Sequence, residues 1–155
     1  MTAEPTRRRV SAAAQRARQM MIGGLALGHG VGIAVIGLAL AIGGADAALT
    51  AALGFAAVVI FYSIGQSLEV VACELPDMQG MGLVLVSYAV RVVGIAAGLW
   101  AILSLPAMEG RVQDGWLLLS VAGTVIGWVT GVVLVASRQR VPVYDTEYQP
   151  PPSHD

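Results

Sequence analysis

Lysine is absent from this 155-residue chain, and all nine of its basic residues are arginines. Together with heavy use of alanine, glycine and valine, this points to a GC-rich coding sequence and hence to a bacterium. Charge of either sign is scarce, at 12% of residues with a net charge of −1. The balance therefore says little about partners, and only the place of each charge is informative. Cysteine occurs once, as Cys73, which excludes an internal disulfide and a cysteine metal cluster. Histidine occurs twice, as His29 and His154, with no Cys/His spacing that would hold a metal. No nucleophile stands with a base, no glycine-rich phosphate loop follows a strand, and no basic patch is interleaved with aromatics. Catalysis, a cofactor and nucleic acid are accordingly not expected. No repeat of the length used by solenoids is present.

What the chain has instead is long apolar runs. A bilayer-spanning helix needs about 20 predominantly apolar residues. Four stretches qualify: residues 20–43, 48–72, 82–105 and 116–136. Gly43-Gly44-Ala45-Asp46 separates the first two, Cys73-Glu74-Leu75-Pro76-Asp77 closes the second, and the polar residues 106–114 precede the fourth. The expected fold is an all-α integral membrane protein of four transmembrane helices. It comprises a basic cytoplasmic segment at 1–19, one membrane domain at 20–136, and a cytoplasmic, disordered tail at 137–155 ending near Pro150-Pro151-Pro152. Four spans consume nearly the whole chain, which leaves no room for a soluble catalytic domain.

Orientation follows from the arginines. Arg7, Arg8, Arg9, Arg16 and Arg18 precede the first span and Arg138 and Arg140 follow the fourth. The first loop has no basic residue and the third only Arg111, so both termini are expected in the cytoplasm of a bacterial plasma (inner) membrane, and the N-terminal arginines also suit anionic lipid. Trp100 and Trp116 flank the third loop, as an aromatic belt at the outer interface would. The second loop departs from the pattern, carrying Glu74 and Asp77 and no arginine, although acidic residues count little in this rule. Arg7-Arg8 before an apolar stretch and Ala45-Asp46-Ala47 also fit a twin-arginine signal with its cleavage site, but the apolar run far exceeds the usual h-region of about 7–15 residues.

Arg91 stands near the middle of the third span. A cation at that depth costs at least ~2.5 kcal/mol and needs a partner. At about 1.5 Å per residue it lies roughly 14 Å below the cytoplasmic start of its helix, and Glu69 roughly 5 Å below the end of the preceding one. The long arginine stem can reach back toward that face, which makes Glu69 the expected partner. Tyr62, Gln66, Glu69 and Cys73 are spaced by four, three and four and form one stripe. Ser87 and Tyr88 share the face of Arg91. The pair either holds a helical hairpin together or belongs to an ion path or partner site. His29, at a depth similar to Arg91, is expected to be a neutral imidazole bonded to a neighbouring helix rather than a proton relay.

Glycines supply a third pattern. Gly24, Gly28 and Gly32 line one face of the first span, Gly94 and Gly98 one face of the third, and Gly123, Gly127 and Gly131 one face of the fourth. Small residues four apart let helices approach closely in lipid. Each such face either closes the bundle or docks another protein.

With its embedded basic residue in Ser87-Tyr88-Ala89-Val90-Arg91-Val92-Val93, four short spans, cytoplasmic ends and a short polar tail, the chain resembles the ATP synthase protein I family of small bacterial membrane proteins over about residues 20–140. The acidic second loop departs from the basic one expected of that family. The resemblance implies a non-catalytic assembly or accessory factor for the proton-translocating rotor ring of F-type ATP synthase, with Arg91 as the one residue carried over. Some members have been discussed as cation carriers, magnesium especially. The alternatives are therefore a small cation transporter or channel, taking up its ion at Glu69, Glu74 and Asp77, or a structural subunit of a respiratory complex. Membrane lipid and other membrane subunits are the expected partners, with a homo-oligomer left open.

Overall fold

The computed structural model describes residues 12–139, and the side chains of 14–139. Arg7, Arg8, Arg9, Arg140, His154 and the proline run of the tail lie outside the described residues, as does the expectation of a disordered tail beyond residue 139. The described chain is all helical: α1 spans Ala12–Ala72, α2 Asp77–Leu103 and α3 Asp114–Arg138, with a short 3-10 turn at Pro106–Met108 before α3. All three are long and apolar enough to cross a membrane. Helices of 25 and 27 residues are about 38–40 Å long, against a hydrocarbon layer of roughly 30 Å.

The 61 residues of α1 are not one rod. At 1.5 Å per residue a straight helix would hold His29 and Phe55 about 39 Å apart, yet their ring centroids are 5.2 Å apart. The reversal falls at Gly44, whose φ of 79° and ψ of −165° lie outside helical space. Only glycine reaches that region without steric cost, so the Gly43-Gly44 pair does break the apolar run where the sequence suggested. α1 thus has a first arm up to Gly43 and a second arm from Ala45. Near the reversal Ala39, Ala47 and Ala51 are wholly buried, with Val35, Ile36 and Trp116 packed around them. Arg111 Nε donates to Asp46 Oδ1 at 2.8 Å, and Thr50 Oγ1 donates to the Asp46 carbonyl at 2.7 Å and accepts from Gln113 N at 3.3 Å. These contacts pin the loop before α3 to the start of the second arm.

The other ends are set by local chemistry. Pro76 precedes α2 with φ −57° and ψ 148°, and its carbonyl accepts from Gly80 N at 2.8 Å. Asp77 and Asp114 sit in the first turns of α2 and α3, and Arg138 in the last turn of α3, each charge opposing the helix dipole. α2 and α3 begin earlier than the apolar pattern alone indicates, because polar first turns continue the helix beyond the apolar stretch.

α3 packs on both arms of α1, whereas α2 packs on the second arm. The interior is built from small and polar residues. Thr50, Ser87, Ser120 and Thr124 are buried, as are Ala39, Ala47 and Ala51, while Ile33, Ile42, Leu85, Val92 and Leu118 face outward. Ser120 donates to the Ala51 carbonyl at 2.5 Å. In water so much exposed apolar surface would be a liability. In lipid, where tails are as apolar as leucine, small-residue packing and interhelical hydrogen bonds are the forces that remain.

The glycine faces turn inward. A Cβ on Gly24 or Gly28 would meet the Trp128 ring, and one on Gly32 the Phe55 ring. Gly94 and Gly98 both receive Phe61, Gly123 and Gly127 face Val31, and Gly131 lies on the backbone of Gly23. Most of these glycines are thus sockets for a large side chain, while along the crossing of α3 with the first arm Gly127 also faces the Leu27 carbonyl and Gly131 the backbone of Gly23. The reading in which one of these faces docks another protein is corrected here, since each is filled by the chain's own helices.

Candidate functional site: a caged arginine beside a cleft

The helical hairpin of the second arm and α2 brings Arg91 and Glu69 together, with Nη2 2.8 Å from Oε1. Gly65 makes this possible. A Cβ there would lie 2.6 Å from Arg91 Nε and 2.8 Å from its Cγ, so the arginine stem lies across a position that only glycine leaves open. The guanidinium is then held between two aromatic rings, its Cζ 5.3 Å from the centroid of Tyr62 on one helix and 5.3 Å from that of Tyr88 on its own. Cation–π attraction of this kind is worth about 0.5–2 kcal/mol per ring, more as water is excluded. Tyr62 is in turn set edge-on against Trp128, centroid distance 5.6 Å, which ties the cage to α3.

Glu69 is the better satisfied partner. Gln66 Nε2 donates to its Oε2 at 2.8 Å and Ser87 Oγ approaches Oε1 at 3.0 Å. The Ser87 hydroxyl also faces the Val84 carbonyl at 2.7 Å, and its single proton serves one acceptor at a time. Arg91 is 9% exposed. Its Nε and Nη2 are both enclosed, Nη2 against the Glu69 carboxylate and Nε over Gly65.

Of the residues singled out in the sequence, Arg91, Glu69, Gln66, Ser87, Tyr62 and Tyr88 converge here, and Cys73 lies further along at the mouth of an adjoining cleft. His29 does not join them. Its ring meets Phe55, whereas Arg91 lies on Gly65, ten residues or about 15 Å further along the second arm. The similar depth inferred for His29 and Arg91 is corrected on that ground. Nor does the imidazole bond a neighbouring helix: Nδ1 is 2.8 Å from the Leu25 carbonyl one turn earlier in its own helix. Gly65 and Trp128 were missed by the sequence reading. For Gly65 a signal existed, as it adjoins Gln66 in the polar stripe.

The cleft opens between α2 and the first arm, with the second arm as floor. Its volume is ≈ 700 Å³, and it is lined by Arg16, Met20, Glu69, Cys73, Asp77 and Met81 among others. An adjoining cavity of ≈ 310 Å³ shares Met20, Gln66, Glu69 and Tyr88 with it and is lined also by Arg91, Trp128 and three valines, Val92, Val129 and Val132. Among the described residues no group of three His, Cys, Asp or Glu side chains is placed to hold a metal ion. Comparison with protein families, curated proteins and solved structures yields no match for this chain.

Proposed function

We propose that the chain is a non-catalytic accessory or assembly factor that crosses a bacterial plasma membrane four times, the two arms of α1 each making one span, with both termini cytoplasmic. The observation that supports this best is the asymmetry of α2. Its one cation is neutralised and caged on the inner side, while Leu85, Val86, Val92, Val93 and Trp100 are exposed on the outside. A helix packed on one flank and apolar on the other suits association with further membrane subunits. The rotor ring of F-type ATP synthase is the partner implied by the sequence resemblance. The engagement of Glu69 with Arg91, Ser87 and Gln66 favours this reading over cation transport, which needs free acidic groups converging on a water path.

Deletion of the gene is expected to reduce the amount of assembled rotor ring in membranes and leave cation uptake by vesicles unchanged. Normal ring assembly in the deletion strain would remove ATP synthase as the partner. Topology has its own test. Cys73 is exposed beyond the end of α1 and is expected to react with a membrane-impermeant thiol reagent in inverted vesicles only. Labelling in intact cells would reverse the orientation.

A further inference from the structure

α3 ends at the rim of the cleft. Gln139, which caps it, donates from Nε2 to the Arg16 carbonyl and to Gln19 Oε1 on the first arm, both at 3.3 Å. Arg16, Ala17 and Met20 line the cleft from the first arm, and Asp77, Met81 and Val84 line it from α2. The chain therefore leaves the described bundle at the edge of an open cleft, with residues 140–155 still to come. The segment that follows, Val141-Pro142-Val143-Tyr144, is uncharged and largely apolar. That chemistry suits the lining, where Arg16 is balanced by Asp77, Glu69 is paired with Arg91, and the two methionines offer adaptable apolar surface. The lengths agree as well. Extended at about 3.3 Å per residue, residues 140–144 reach roughly 16 Å, and the α2 wall from Asp77 to Tyr88 has about that length at 1.5 Å per residue. Asp145 and Glu147 come next, at an end of the bundle where the first arm and α3 carry Arg16, Arg18 and Arg138.

We propose that residues 141–144 of this chain's own C-terminal tail dock in the cleft as an internal strap, with Val141 and Val143 between Met20 and Met81. A tethered segment needs little affinity, because a short linker holds it at an effective concentration of millimolar order. The strap would occupy the cleft ahead of any free ligand of similar chemistry. This goes beyond the functional reading above and is tested separately from it.

Cys73, the only cysteine, is exposed and lines the cleft, so its thiol reports whether the cleft is covered. The full-length protein in detergent is reacted with an uncharged maleimide, beside a chain ending at Gln139 and a full-length chain carrying Val141→Ser and Val143→Ser. Both variants are expected to label about tenfold faster, as for a strap whose effective concentration is ten times its dissociation constant. A synthetic peptide of residues 140–155 at millimolar concentration should slow the truncated chain again, and the same peptide with both serines should not. Circular dichroism checks that truncation leaves the helices intact; if it does not, the full-length serine variant carries the test. Equal rates in all three proteins would overturn the proposal. A serine variant as slow as wild type would overturn it too, leaving a tail that only crowds the thiol. A wild-type rate that rises on dilution would place the tail in a second copy and likewise exclude the internal strap.

Discussion

Arg91→Leu is expected to lower the thermal stability of the detergent-solubilised protein markedly, and Glu69→Leu added to it is expected to recover much of the loss. The single substitution removes the cation but leaves Glu69 about one-fifth exposed and bonded only to Gln66 and Ser87. Breaking one half of a buried pair costs about 3–5 kcal/mol, whereas replacing both halves with apolar residues is often close to neutral. The partial access of Glu69 to the cleft places the single variant near the lower end of that range. Arg91→Lys should fall between wild type and Arg91→Leu. It keeps the charge but loses the planar group that lies between Tyr62 and Tyr88. Melting temperatures of wild type, Arg91→Leu, Glu69→Leu and the double variant complete a double-mutant cycle. Additive losses would mean that the 2.8 Å contact carries no coupling. The same variants separate structure from function: a stable double variant that still supports its membrane complex makes the pair a structural clasp, and a stable inactive one makes it part of the working site.

The second large effect is expected at the crossing of the first arm and α3. A Cβ on Gly131 would collide with the Gly23 carbonyl and stand 2.7 Å from its carbon and 2.9 Å from Gly24 Cα. Backbone cannot swing aside as the tip of a side chain can, so the helices must separate. Gly131→Ala should therefore destabilise by more than the roughly 1–3 kcal/mol typical of overpacking, and reduce the amount of inserted protein. Gly123→Ala is the matched control on the same helix. Its Cβ would meet Val31 and Val35 at 3.5 and 3.6 Å, which is ordinary contact, and alanine is the better helix former by about 0.8–1 kcal/mol. It should be neutral or stabilising. Equal behaviour of the two variants, read by melting temperature and membrane abundance, would show that the first arm and α3 do not cross as described.

Much of this arrangement was legible in the residues before any coordinates. The break at Gly43-Gly44, the Pro76 boundary, the shared face of Gln66 and Glu69, and the demand of Arg91 for a carboxylate within reach all follow from local rules: backbone sterics, helical periodicity and the cost of a bare charge in an apolar run. The glycine spacings were legible too, as surfaces of close approach.

Periodicity tells which residues share a face and is silent on what that face meets. Along α2 and α3 the contrast between faces is weak, because the outside of the bundle is as apolar as its interior or more so. No hydrophobic stripe then announces which side turns inward. Only the assembled helices decide that Trp128 fills the Gly24–Gly28 socket, that Phe61 fills the one at Gly94 and Gly98, and that α2 is left with one flank free. The level of each residue along the bundle is also a tertiary property, fixed by where the chain reverses and how the helices are staggered. That stagger separates His29 from Arg91 and lays the arginine across Gly65 between two tyrosines. The sequence by itself determined that a buried cation must find a carboxylate; the packing decided that it would do so across Gly65, against two tyrosines and beside an open cleft, because only the assembled helices set which faces meet.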